Sequence, residues 1–214
     1  MKIITLIFFL VFSLSSKAQN PKFQLGLVSG PSVTTFFGND AIEDFYDPAI
    51  KYAAGVTLDF RIKKRLSLGS GLVLEQNYGS GNFTFTDQIG NPTGTYKSEI
   101  IFNQLNLPVV VNAKLIDRKF DFITTLGPQL QYLISQKESA YNSSSQSTVL
   151  INNLKNYSRI NIGLIVGLGT SYQLNEQLNL NFELRNNLGL SNVSKLGTIK
   201  INSTSLLLGL SYQL

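Results

Sequence analysis

Along most of this chain apolar residues fall at every second position, with Gly, Ser, Asn, Gln and charged residues between them. Phe23, Leu25 and Leu27 show the period, as do Tyr52, Ala54, Val56, Leu58, Phe60 and Ile62, and again Leu206, Leu208, Leu210, Tyr212 and Leu214. A period of two belongs to strands with one greasy face. The alternation predicts eight strands, roughly over Lys22 to Val33, Lys51 to Ile62, Leu66 to Tyr78, Tyr96 to Leu115, Phe120 to Ser135, Tyr157 to Leu174, Leu178 to Leu190 and Ile199 to Leu214. The other face is too consistently polar for a dry interior, so the apolar face is expected to look outward into lipid.

The connectors alternate in length. Lys63-Lys64-Arg65, Asp117-Arg118-Lys119 and Asn175-Glu176-Gln177 are tight, whereas Gly38 to Ala49, Gly79 to Thr95, Gln136 to Asn156 and Ser191 to Thr198 are long and polar. Three short turns and four long loops are what an eight-stranded, up-and-down barrel with both termini in the periplasm requires. Two strands change phase. Tyr96, Ser98, Ile100 and Phe102 share one parity and Leu105, Leu107, Val109 and Val111 the other, which predicts a β-bulge near Asn103 or Gln104. A similar shift separates Ile199 and Ile201 from Leu206 onward. Pro108 cannot donate to a ladder and is expected beside the bulge. Aromatic residues near the strand ends predict two girdles at the headgroups: Phe60, Phe120, Phe122, Tyr172 and Tyr212 toward the short turns, and Tyr52, Tyr78, Phe102, Tyr132 and Tyr157 toward the long loops.

The first residues carry a different signal. Lys2, the apolar stretch from Ile3 to Leu14 and the small residues around Ser16-Lys17-Ala18 read as a secretory signal peptide over 1–18, leaving 19–214 as one barrel domain. Elsewhere no apolar run approaches the ~18 residues of a membrane helix, so any spanning form is built of strands.

Charge changes the picture little. Once Lys2 and Lys17 leave with the signal, the 16 remaining cations exceed the 13 acids by three, and turn residues supply many of them. Nothing there calls for a nucleic-acid partner. The parity opposite the apolar one holds Lys51, Asp59, Arg61, Glu75, Lys114, Asp121, Arg159, Glu183 and Arg185. In so narrow a barrel these side chains are expected to fill the lumen and to pair, with Asp59, Arg61, Glu75, Glu183 and Arg185 as a polar network in its periplasmic half.

Candidate chemistry is sparse. The sequence has neither His nor Cys, which removes the usual general base, the thiol nucleophile and the common zinc ligands. No catalytic, cofactor or metal constellation is predicted. The acids Asp40, Glu43, Asp44 and Asp47 of the first long loop lack the ligand order of a calcium-binding loop, and read either as a solvated segment or as a cation contact.

Several short motifs lie along the chain: Leu25-Gly26-Leu27 with Gly30, Ala54-Gly55-Val56 followed by Leu66-Ser67-Leu68, Leu105-Asn106-Leu107-Pro108, Leu126-Gly127-Pro128 before Tyr132, and Gly167-Leu168-Gly169 before Arg185 and Asn187-Leu188-Gly189-Leu190. Together they resemble the PorT-like family of outer-membrane β-barrel proteins. The resemblance implies an eight-stranded barrel in the outer membrane of a Gram-negative cell, in contact with lipid and, during biogenesis, with the barrel-assembly machinery. Four roles stay open: a non-enzymatic barrel with surface loops and a filled lumen, an accessory component of a secretion or envelope machine, a soluble lipocalin-like barrel with its greasy face inward, and a narrow pore.

Overall fold

The computed structural model describes residues 22–86, 89–90, 92–116, 120–142, 147–151 and 154–214. The signal-peptide reading and the Asp117-Arg118-Lys119 turn lie outside them. Strands β1 (Phe23–Phe37), β2 (Asp47–Lys63), β3 (Leu66–Thr86), β4 (Pro92–Ile116), β5 (Phe120–Asn142), β6 (Ser147–Ile151), β7 (Ile160–Gln173), β8 (Leu178–Gly189) and β9 (Lys200–Gln213) form one antiparallel sheet, with a four-residue helix α1 (Asp40–Glu43) between β1 and β2. The sheet closes on itself. β1 pairs with both β2 and β9, and β4 pairs with both β3 and β5, so eight strands make a ring while short β6 only extends β5.

The outward parity is the apolar one. Leu27 is 64% exposed and Val56 44%, and Leu72, Leu130, Val166, Leu184 and Leu208 stand on the same outer wall. A lipocalin-like barrel needs the reverse arrangement. At the short-turn end, outward Phe23 and Phe60 pack at 5.1 Å between centroids, and Phe120 and Tyr172 at 4.7 Å. Exposed Tyr212 belongs to this end too, while Tyr52, Tyr132 and half-buried Tyr78 stand outward toward the loops.

Four expectations need correction. The bulge lies beside the predicted place but on the neighbouring strand: Asn103 pairs with Ser135 and Gln104 with Leu133, so Ile134 of β5 is the extra residue. β4 itself keeps one parity throughout, with Ile100, Phe102, Gln104 and Asn106 all turned inward. β9 likewise runs inward at Ile201, Ser203, Ser205 and Leu207 with no slip. What changes along both strands is the interior, from polar to apolar. Pro108 is not at the bulge: its ring faces the lumen within an unshifted register, and the Ser70 hydroxyl donates to its carbonyl at 2.9 Å.

The second and third long loops are also largely strand. β3 and β4 stay paired out to Thr86 opposite Pro92, and β5 runs on to Asn142, where β6 adds to it. Beyond the bilayer these segments have no lipid to face, so no greasy alternation marks them.

On β2 the midpoint between Tyr52 and Phe60 is Val56. Placing Arg there is expected to cost about 2–4 kcal/mol of folding stability in lipid vesicles, measured by urea titration. Arg at Leu58, one step from the Phe60 ring, is expected to cost less.

Candidate functional site

The lumen is where the polar parity meets itself, and it is built in storeys. At the loop end lies an apolar plug of Phe36, Ile100, Phe102, Leu133, Val193 and Ile201, with Tyr46, Leu154, Tyr157 and Ile199 packed on it. Phe102 is 0% exposed and its ring lies 6.0 Å from that of Phe36 and 5.2 Å from that of Tyr157. Phe102 and Tyr157 therefore belong to the plug and not to the girdle predicted for them. β1, β4, β5 and β9 aim these side chains inward, and the loop between β8 and β9 contributes Val193.

Below the plug runs a belt of amides and hydroxyls. Thr34 Oγ1 donates to Asn77 Oδ1 at 3.1 Å, and Asn77 Nδ2 to Gln104 Oε1 at 2.9 Å. Beneath it Glu75, 2% exposed, accepts from Ser32 Oγ at 2.9 Å, from Asn106 Nδ2 at 2.6 Å, and from Asn187 Nδ2 at 3.3 Å to one oxygen and 3.4 Å to the other. Ser205 links to both Ser32 and Glu75. A buried carboxylate is tolerable when donors surround it, and here neutral groups from β1, β4, β8 and β9 do so.

Asp59, Arg61, Glu183 and Arg185 lie nearer the periplasm, so the five predicted network residues do not form one layer. Arg185 pairs with Glu183 two residues earlier on β8, Nε at 3.0 Å and Nη2 at 2.8 Å. Asp59 accepts from Asn112 Nδ2 at 2.7 Å, and Lys114 pairs with Asp121. Arg61 sits lower still, at the mouth. Two of the other expected lumenal charges are placed elsewhere. Lys51 lies over the Tyr78 ring at 4.5 Å, where the β2–β3 register breaks between Pro48 and Ala53, and Arg159 stands exposed at the rim, donating to the Leu133 carbonyl.

The lumen is not filled throughout. Below Glu75 a cavity of about 120 Å³ opens between Asp59, Asn112, Thr125, Asn181, Glu183 and Arg185. Glycines make room for its charges: a Cβ on residue 69 would stand 2.7 Å from Asp59 Oδ1, and one on residue 167 equally close to Glu183 Oε1. In the first long loop Glu43 turns back to accept from the Gly38 amide, and no group of three acids converges on a metal-sized site among the described residues.

Residues 17–195 match the outer membrane protein beta-barrel domain family. The chain belongs to that family. As a member of the outer membrane protein beta-barrel domain family it is an integral outer-membrane protein, with the apolar wall described above in lipid. No curated protein matches it in sequence. Its fold resembles Neisserial surface protein A (16% identity, TM-score 0.46, 90% of this chain and 97% of that one). It also resembles OprG of Pseudomonas aeruginosa (15%, 0.43, 91% and 97%) and the outer membrane protease OmpT of Escherichia coli (10%, 0.46, 91% and 98%). These are likenesses of fold.

Above the membrane, burial pushes the Tyr157 phenol from 10.0 up to about 12, with the nearby Glu138 carboxylate and Tyr46 adding to the shift. Burial raises Tyr46 and Glu138 as well. A folded-state pKa above the unfolded one means that the neutral phenol stabilises the fold below pH 10 and that this contribution is lost as pH rises through about 12. Ultraviolet titration of folded protein should show a late-ionising tyrosine that disappears in Tyr157→Phe. Phe102→Ala, which empties the centre of the plug, is expected to cost about 3–5 kcal/mol, read from heat-modifiable migration and urea midpoints.

Proposed function

We propose that this chain is a non-enzymatic outer-membrane barrel that conducts no solute and works through the surface it raises above the membrane. The apolar plug carries the reading: six side chains that are buried and hydrocarbon in character cross the lumen at the loop end, where a pore needs a wetted path. The absence of His and Cys from the sequence supports the non-enzymatic part. Outer-membrane lipid is the partner of the outer wall, and the barrel-assembly machinery is its partner during biogenesis.

A second reading adds a protein partner. The resemblance of the sequence motifs to those of PorT-like proteins, together with the paired strands that run past the girdle as far as Thr86, Asn142 and Ile151, supports an accessory role in a secretion or envelope machine. Fold alone does not assign that role, and stoichiometric partners co-purifying in mild detergent would favour it.

Planar bilayers reconstituted with the purified barrel are expected to remain silent. Discrete, reproducible conductance steps would sink the closed-lumen reading.

A further inference from the structure

The periplasmic half of the lumen has features that a purely structural barrel does not require. Its cavity of about 120 Å³ has room for several water molecules and is closed above by the Glu75 storey and the plug. It continues downward into the mouth, for Gln24, Asp59, Ser67 and Lys114 border both spaces. Six cationic side chains, Lys22, Arg61, Lys63, Lys64, Arg65 and Lys114, line that mouth, and Asp59 is the one carboxylate among its described lining residues. A single-sign funnel on low-dielectric walls concentrates counter-ions, here anions.

Inside, the carboxylates are treated unequally. Glu183 has the guanidinium of Arg185 and Asp121 has the ammonium of Lys114, each in direct contact. Asp59 borders the cavity and, among the described residues, has the side-chain amide of Asn112 as its one hydrogen-bond partner and no cation in direct contact. A carboxylate drawn partly out of water and without a bonded cation leaves acceptor capacity directed at the space beside it. The remaining wall offers hydroxyls and amides, among them Thr57, Asn112, Thr125, Asn179, Asn181 and Ser211, set between apolar Val28, Val110 and Ile123.

We infer that this blind, periplasm-facing cavity is a binding pocket for a small zwitterionic solute, of which a short peptide is the simplest kind. The ammonium of the ligand sits against Asp59, its peptide groups exchange hydrogen bonds with the amide and hydroxyl wall, and its carboxylate stays among Arg61, Lys22 and their neighbours at the mouth. The site is distinct from the extracellular surface of the proposed function and does not depend on what that surface binds.

Triglycine, N-acetyltriglycine, triglycine amide and inorganic phosphate serve as probes of the isotopically labelled, full-length mature barrel in micelles. Side-chain amide resonances of Gln24, Asn112 and Asn181 report the pocket. Triglycine is expected to shift them in a saturable way while leaving Asn202, near the loop end, unmoved. Blocking the ammonium by acetylation is expected to weaken binding roughly tenfold or more, as loss of a charged hydrogen bond does, and amidation of the carboxylate to weaken it less because the mouth is wetter. Asp59→Asn is expected to bind triglycine no better than the native barrel binds the acetylated form. Equal affinity for triglycine and its acetylated form, an unchanged affinity in Asp59→Asn, equal shifts with phosphate alone, or no shift at all would each overturn the assignment. Heat-modifiable migration checks that Asp59→Asn is folded; should it not fold, the acetylation comparison on the native chain decides.

Discussion

In hydrocarbon a backbone amide has no water to fall back on, so a chain that crosses with strands must pair every one of them on both sides. The pairing of β1 with β9, Gln24 opposite Gln213 through to Phe37 opposite Lys200, meets that demand by turning the sheet into a ring. Once the ring exists, the period of two in each strand is forced into an outside and an inside. Leu, Val and Phe take the lipid, and whatever alternates with them is confined to a narrow shaft that must satisfy itself. The lumenal storeys are a consequence of that confinement.

Two solutions to confinement are visible. Where the shaft is packed, polar atoms are matched by neutral neighbours, as around Glu75, whose donors come from strands more than a hundred residues apart in sequence. Where water has access from below, charges pair locally or face open space, as with Glu183 and Arg185 or Asp59. The unpaired Asn106 Oδ1, Asn187 Oδ1 and Gln129 Nε2 all belong to residues bordering a void of about 10 Å³ beside Glu75. Two acceptors and one donor form the set that a single buried water complements. The transition from packed to wet is therefore gradual.

Strand number, closure and the outward direction of the greasy face were legible because lipid leaves a periodic mark on every strand it touches. The lumen was less legible, because parity says that a residue points inward but not how deep it sits. Glu75 and Asp59 share a parity and occupy different storeys. The inward Ile100, Phe102 and Ile201 looked like slips of phase, since an apolar residue on the inner face and a bulge that turns it outward leave the same local pattern; only the unshifted register of β4 against β3 from Leu66 to Phe85, and of β9 against β1, separates them. Lys51 was misplaced because a register break in β2 has no signature in residue type.

The vertical asymmetry of the lumen follows from where the chain has length to spare. The β2–β3 turn at the periplasmic end is so short that Lys63 still pairs with Leu66 across it, and among the described residues no segment folds back over the mouth. At the other end the β8–β9 connection is long enough for Val193 to fold inward, and Tyr46 and Tyr157 reach over from the neighbouring connections. Apolar burial is cooperative with such coverage, since each ring laid on the plug removes water from those beneath it. Among the described residues the closed end is thus the end with long connections and the open end the one with tight turns, the geometry on which the proposed periplasm-facing lumen rests.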